Sequence, residues 1–117
     1  MTREELQQRN DELQRAMAIC TGWTKLKWTT GILRGLNPMY KDNSRARVQI
    51  TPEWIYRKEH MEYLLWGMGT DECVVFHRIL SGIVEHGYTW KATSEQLVEA
   101  YLRMKGCWKE EWNAQGS

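Results

Sequence analysis

The sequence predicts an α+β fold in which a small, mostly antiparallel sheet is sandwiched between two helical layers containing about four helices. Three observations lead to this prediction. The chain has four helix-start signals, apolar residues recur at helical spacing after them, and β-forming residues fill positions 23–50 between the first two. The 117 residues fit one domain. We expect residues 113–117 to form a frayed tail.

Each helix-start signal opens with a threonine. Thr2 and Thr93 begin capping boxes, Thr51 precedes a proline, and Thr70 precedes two acidic residues. The predicted helices are 2–20, 52–67, 71–86 and 94–105. The last three carry broad apolar stripes and are expected to be core helices. The first has only a narrow seam that includes Leu13, so we expect it to lie on the surface or to pack against a second copy in a homodimer.

The predicted strands lie mostly between the first two helices. Residues 23–30 are rich in β-formers with partial alternation, 32–34 follow a glycine, and 45–50 form a third candidate. The turn residues Asn37-Pro38 and the polar run 41–44 separate them. Residues 87–91 are a candidate for a short edge strand.

Tryptophan content and charge distribution point to a binding function. There are seven tryptophans and one phenylalanine, more large amphipathic rings than a small core needs. The simplest packing pattern places Trp23, Trp54 and Trp108 in the core and exposes Trp28 or Trp90. Although net charge is +1, residues 23–58 carry +6, against −1 before them and −4 after them. A positive face on a nearly neutral protein, or a solvated loop, explains this asymmetry.

Other patterns limit the chemistry. The three cysteines contain no C-x-x-C pair, which favours free thiols in a reducing cytoplasm, and no apolar run reaches membrane-spanning length. Cys73 and His77 have metal-ligand spacing but no second pair, so a structural thiol beside an ordinary histidine is favoured. There is no glycine-rich phosphate motif and no defined carboxylate dyad. We therefore expect neither an enzyme, a metal site nor a cofactor.

The order of segments resembles a family of small bacteriophage proteins. A polar helix ends in Thr21-Gly22-Trp23, a hairpin leads to Gly31-Ile32-Leu33-Arg34-Gly35-Leu36-Asn37-Pro38, and Thr51-Pro52-Glu53-Trp54 precedes a helix bearing Lys58-Glu59-His60-Met61. An Ala92-Thr93 cap then opens a helix ending in Leu102-Arg103-Met104-Lys105-Gly106, with Trp108 soon after. This pattern is similar to the phage ABA sandwich domain family. The resemblance implies a sheet between helical layers and a phage or prophage origin, and it implies no activity.

Two kinds of function fit these observations. The first is a cytoplasmic anti-defence protein that sequesters an anionic nucleotide, such as an immune signal of the host. The second is an interaction protein that docks on a host protein and blocks it. Direct DNA binding ranks third, because a nearly neutral chain offers few phosphate contacts. For a nucleotide, arginine forks are expected to hold phosphates and an aromatic ring to stack on a base. The predicted ligand-binding residues are Trp28, Arg34, Tyr40, Arg45 and Arg47.

Overall fold

The computed structural model describes residues 2–40 and 48–113, apart from the side chain of Tyr40. Within these residues the fold contains four α-helices and one three-stranded sheet, which confirms the predicted α+β class. The helices are α1 (Arg3–Cys20), α2 (Lys58–Trp66), α3 (Thr70–Ile83) and α4 (Ser94–Met104). The strands are β1 (Thr24–Thr29), β2 (Ile32–Leu36) and β3 (Val48–Ile50).

The helix starts predicted at Thr2 and Thr93 begin α1 and α4, and the reciprocal capping box is formed at α4. The Thr2 hydroxyl accepts a hydrogen bond from the Glu5 amide at 3.1 Å. At α4, Thr93 and Gln96 exchange two bonds of 3.2 and 2.9 Å between side chain and backbone. These bonds satisfy amides that have no partner within the helix. These short-range contacts explain why both start signals predict the structure well.

Helix α1 packs one side against the core of the same chain, and its other side is exposed. Leu13, Met17 and Ala18 are fully buried. The polar residues on its buried side have distant partners, since Arg9 Nε donates to the Trp112 carbonyl at 2.8 Å. The prediction of a narrow surface seam is therefore wrong. Because Leu13 and Met17 are already covered within one chain, they are not available to a dimer interface.

Helices α2 and α3 differ from their predicted bounds. The α2 helix begins at Lys58 instead of residue 52, because the preceding segment buries Trp54 and Ile55 in the core. The α3 helix ends at Ile83 instead of 86, and a one-turn 3-10 helix follows, in which His86 has a positive φ of 56°. Residues 87–91 form no strand; Thr89–Lys91 is another one-turn 3-10 helix, so that prediction is also wrong.

The sheet is antiparallel throughout and has the order β1-β2-β3. Leu33 of β2 points into the core, where it is 2% exposed. An irregularity between Thr24 and Lys27 interrupts the pairing of β1 with β2. Gly35 lies opposite this bulge, where a Cβ atom would come within 2.8 Å of both the Leu26 side chain and the Thr24 carbonyl. The third strand was predicted to span 45–50. The structure shows it at Val48–Ile50, and residues 45–47 lie outside the described residues.

The tryptophans divide into structural and exposed rings. Trp23, Trp54 and Trp112 are buried, and Trp108 packs against the core while partly exposed. Trp66 and Trp90 are 83% and 68% exposed. Because Trp66 and Trp90 are this exposed, core packing does not explain them.

None of the helices in the described residues is both long and apolar enough to cross a membrane.

Candidate binding site

Trp28 and Arg34, two of the predicted site residues, point to opposite faces of the sheet. Trp28 pairs with Leu33 of β2, whereas Arg34 pairs with Lys27 of β1. Paired residues share a face and neighbours along a strand alternate, so Trp28 and Arg34 do not belong to one pocket. Arg34 Nε is buried and has no hydrogen-bond partner among the described residues.

Trp28 lines a small recess of about 90 Å³ whose charged residues are acidic. Asp11 and Glu53 contribute carboxylates to the lining, and its described part includes no lysine or arginine. Such a recess offers no cation to a phosphate. The structure therefore does not favour the predicted stacking role of Trp28.

The other predicted residues lie at the edge of the described chain. The backbone of Tyr40 ends the one-turn 3-10 helix Pro38–Tyr40 that follows β2. The Tyr40 side chain, Arg45 and Arg47 lie outside the described residues. Their roles stay predictions.

A cleft with a volume of about 640 Å³ lies between the end of the sheet and α2. Trp23 and Trp54 line its base, with ring centroids 6.4 Å apart and planes at 84°. Met39 and Tyr63 stand at its opening, each 75% exposed. This volume is typical of small-molecule sites, which are also mostly apolar and aromatic.

The corner after β2 forms one wall of the cleft. The Asn37 side-chain oxygen accepts from the Met39 amide at 2.9 Å, a turn that asparagine favours. The Asn37 amide also lies 3.4 Å from Gln49 Oε1, which connects the corner to β3. On the other side, Gly22 has a φ of +96°, and Pro38 packs directly against it. These contacts place Met39 at the opening.

Gln14 of α1 holds the opposite wall, the segment 51–55. Its side-chain amide donates to the Thr51 hydroxyl at 3.2 Å and to the Pro52 carbonyl. Its oxygen accepts from the Ile55 amide at 3.4 Å. A buried glutamine therefore supplies the hydrogen bonds that a helix would have given this segment. Trp54 is fixed at the base of the cleft as a result.

The polar groups of the cleft are concentrated at its α2 end. His60 Nδ1 accepts from the Glu53 amide at 2.7 Å, so the neutral ring carries its proton on Nε2. Arg57 Nε donates to the Glu53 carboxylate at 2.6 Å, and Arg57 also lies 3.6 Å from Glu59. The hydrogen bond from Arg57 to Glu53, and then their charge attraction, raise the pKa of Arg57. Two carboxylates therefore already neutralise this guanidinium.

A second recess, of about 400 Å³, lies between α2 and α3. Trp66 lines it beside Cys73 and His77. Nowhere in residues 2–40 and 48–113 do three or more histidine, cysteine or acidic side chains form a group that could hold a metal ion. Trp66 lies one turn after Tyr63, so α2 presents an aromatic ridge between the two cavities.

Sequence reasoning missed Met39, Tyr63 and Trp66 as candidate binding residues. A signal was available on α2, where Met61, Leu64 and the neighbouring Leu65 already supply a buried side. Tyr63 and Trp66 lie on the other side of α2, where large aromatic rings are not needed for core packing. For Met39 no pattern distinguished a surface methionine from a core one.

No protein-family model, no curated protein and no solved structure matches this chain. The similarity to the phage ABA sandwich domain family therefore stays a prediction.

Proposed function

We propose that the protein is a non-enzymatic binding protein that holds an anionic nucleotide in the 640 Å³ cleft. The observation that carries the proposal is the place of this cleft in the chain. Met39 and Ile50, which both line it, flank residues 41–47 in the sequence, a run with three basic residues and one acidic residue. An apolar, aromatic cavity thus adjoins a segment carrying Lys41, Arg45 and Arg47.

The charges orient the ligand within the cleft. At the α2 end, Glu53 and Glu59 already pair with Arg57, so phosphates gain little there. At the sheet end, Arg34 does not line the cleft itself, but its cross-strand partner Ile50 does. Arg34 makes no ion pair within the described residues. The phosphates are therefore directed towards the sheet end and residues 41–47, where planar guanidinium groups can bind them in pairs of hydrogen bonds.

The α2 end then receives the base. The exposed ring of Tyr63 offers a stacking surface, which contributes about 1–3 kcal/mol per base in single-stranded complexes. His60 Nε2 is a hydrogen-bond donor in the neutral ring and the Asn37 side chain lies across the cleft. In this proposal Tyr63 takes the stacking role predicted from the sequence for Trp28 or Tyr40. In keeping with the phage resemblance, we propose that the ligand is a nucleotide signal of host defence, which the protein sequesters.

Calorimetry against cyclic di- and trinucleotides and cyclic ADP-ribose isomers tests the proposal. We expect one class to bind, and Tyr63→Ala to weaken binding by about 1–3 kcal/mol. Arg45→Ala or Arg47→Ala is expected to weaken it by about 1.5–3 kcal/mol, with a smaller dependence on salt. Trp28→Ala is the matched control, since it removes a partly exposed aromatic ring outside the cleft. If the folded protein binds none of these nucleotides, the proposal is contradicted.

A second candidate function is docking on a host protein. The observation that favours it is the 83% exposed ring of Trp66, which stands beside the 400 Å³ recess. Buried tryptophans commonly dominate protein interfaces. This alternative predicts that Trp66→Ala abolishes inhibition of a host pathway while Tyr63→Ala and Arg45→Ala leave it intact. Retained inhibition in Trp66→Ala argues against it.

A further inference from the structure

Two of the three cysteines lie side by side in the folded chain. Cys20 Sγ and Cys107 Sγ are 2.9 Å apart although 87 positions separate them in sequence. Cys20 is partly buried and Cys107 is exposed. The sulfur atoms are thus less than 1 Å farther apart than in a disulfide bond, whose length is about 2.05 Å.

Two matching helix ends hold these sulfur atoms in place. Cys20 is the last residue of α1, which closes with a bond from the Trp23 amide to the Ala18 carbonyl at 2.9 Å. Cys107 follows α4, where its own amide donates to the Leu102 carbonyl at 2.8 Å. Both ends are Schellman turns. The glycines that they need are Gly22 and Gly106, with φ of 96° and 74°.

We propose that Cys20 and Cys107 form a reversible intramolecular disulfide when the chain meets a low-molecular-weight disulfide such as oxidised glutathione. Both thiols are part of the rigid backbone frame between α1 and α4, so bond formation needs little rearrangement. Cys73 is on α3 and is not part of the pair. Neither Cys20 nor Cys107 lines the nucleotide cleft, although Thr21 and Trp23 of the turn after α1 do.

The exchange proceeds in two balanced steps. The exposed Cys107 loses its proton, and its thiolate attacks the small disulfide, forming a mixed disulfide and releasing one small thiol. Cys20 then loses its proton and attacks Cys107 Sγ, which releases the second small thiol. Two protein thiols are oxidised to one disulfide, and the small disulfide is reduced to two thiols.

The surroundings of Cys20 set the speed of the second step. Burial, followed by the hydrogen bond and charge of Cys107, raises the pKa of Cys20 to about 12, while Lys105 acts in the opposite direction. Tyr101 is the other titratable group on α4 that couples to this thiol. Because the thiolate is the attacking species, ring closure is expected to accelerate as pH rises above neutrality.

Incubation of the full chain with oxidised glutathione tests the proposal. Intact mass measured without reductant is expected to show the loss of two hydrogen atoms and no adduct. Dithiothreitol restores the original mass. The cross-link closes most of the chain into a loop, and it is expected to raise the melting temperature by on the order of 10 °C.

Single substitutions identify the pair. Cys73→Ser is the matched control and is expected to cross-link like the wild type. Cys20→Ser and Cys107→Ser are expected not to cross-link, and Cys107→Ser is expected to leave Cys20 largely unmodified because it is partly buried. The proposal is overturned if the oxidised wild-type chain keeps three free thiols, forms only intermolecular dimers, or loses its cross-link in Cys73→Ser.

Discussion

Substitution of Gln14 by methionine removes the hydrogen bonds that hold one wall of the cleft while nearly keeping the side-chain volume. Gln14 is 5% exposed and bonds to Thr51, the Pro52 carbonyl and the Ile55 amide. Each neutral bond contributes about 1 kcal/mol, and a buried backbone group without a partner costs about 1–3 kcal/mol. Since one bond is long, we expect Gln14→Met to lower the free energy of unfolding by about 3 kcal/mol.

Urea unfolding and thermal melting measure this loss. For a chain of this length, about 3 kcal/mol corresponds to a fall in melting temperature of roughly 12 °C. Gln7→Met is the matched control, because it makes the same chemical change two helical turns earlier at an exposed position. We expect the control to change stability by about 0.5 kcal/mol or less. If Gln14→Met unfolds like Gln7→Met, the argument for the buried glutamine is refuted.

Three further predictions concern stability. Arg9→Met leaves the Trp112 carbonyl and Glu95 without their partner, so urea unfolding is expected to show a loss of about 3 kcal/mol, against little change in the exposed Arg15→Met. Gly35→Ala places a Cβ 2.8 Å from the Thr24 carbonyl and is expected to lower stability by about 1–3 kcal/mol; a wild-type melting temperature contradicts this. Under reducing conditions, stability is expected to fall as pH rises from about 9 towards 12, because folding favours the protonated Cys20. Cys20→Ser should show a shallower fall, and equal slopes contradict the assignment.

Elements with local signals were predictable from the sequence. The N-cap bonds of Thr2 and Thr93 connect residues three apart, so the local sequence determines their geometry. The antiparallel strands between α1 and α2 followed from composition and turns. The predicted helix bounds were wrong where a distant residue supplies the hydrogen bonds of the segment. At 51–55 the Gln14 side chain does so, and the expected helix does not begin there. The strand predicted at 87–91 was wrong because its aromatic rings contact each other within the segment. The ring centroids of Tyr88 and Trp90 lie 4.9 Å apart.

The candidate site was only partly predictable. Its basic segment and aromatic character are properties of composition, which the sequence displays directly. The surroundings of each ring depend on tertiary structure, so the sequence could not show that Trp28, one of the two predicted stacking residues, lines an acidic recess. The burial of one side of α1 could not be predicted for a similar reason, since Arg9 pairs with residues 86 and 103 positions away. The proximity of Cys20 to Cys107 also had no local signal.

The most direct test of the central claim is a nuclear magnetic resonance titration that follows the indole N–H signals. The protein is labelled with ¹⁵N and titrated with the cyclic nucleotides of the calorimetry panel. Binding in the 640 Å³ cleft predicts that the signals of Trp23 and Trp54 shift with saturation while that of Trp28 stays in place. Unshifted Trp23 and Trp54 signals, or shifts confined to Trp28 or Trp66, contradict the account.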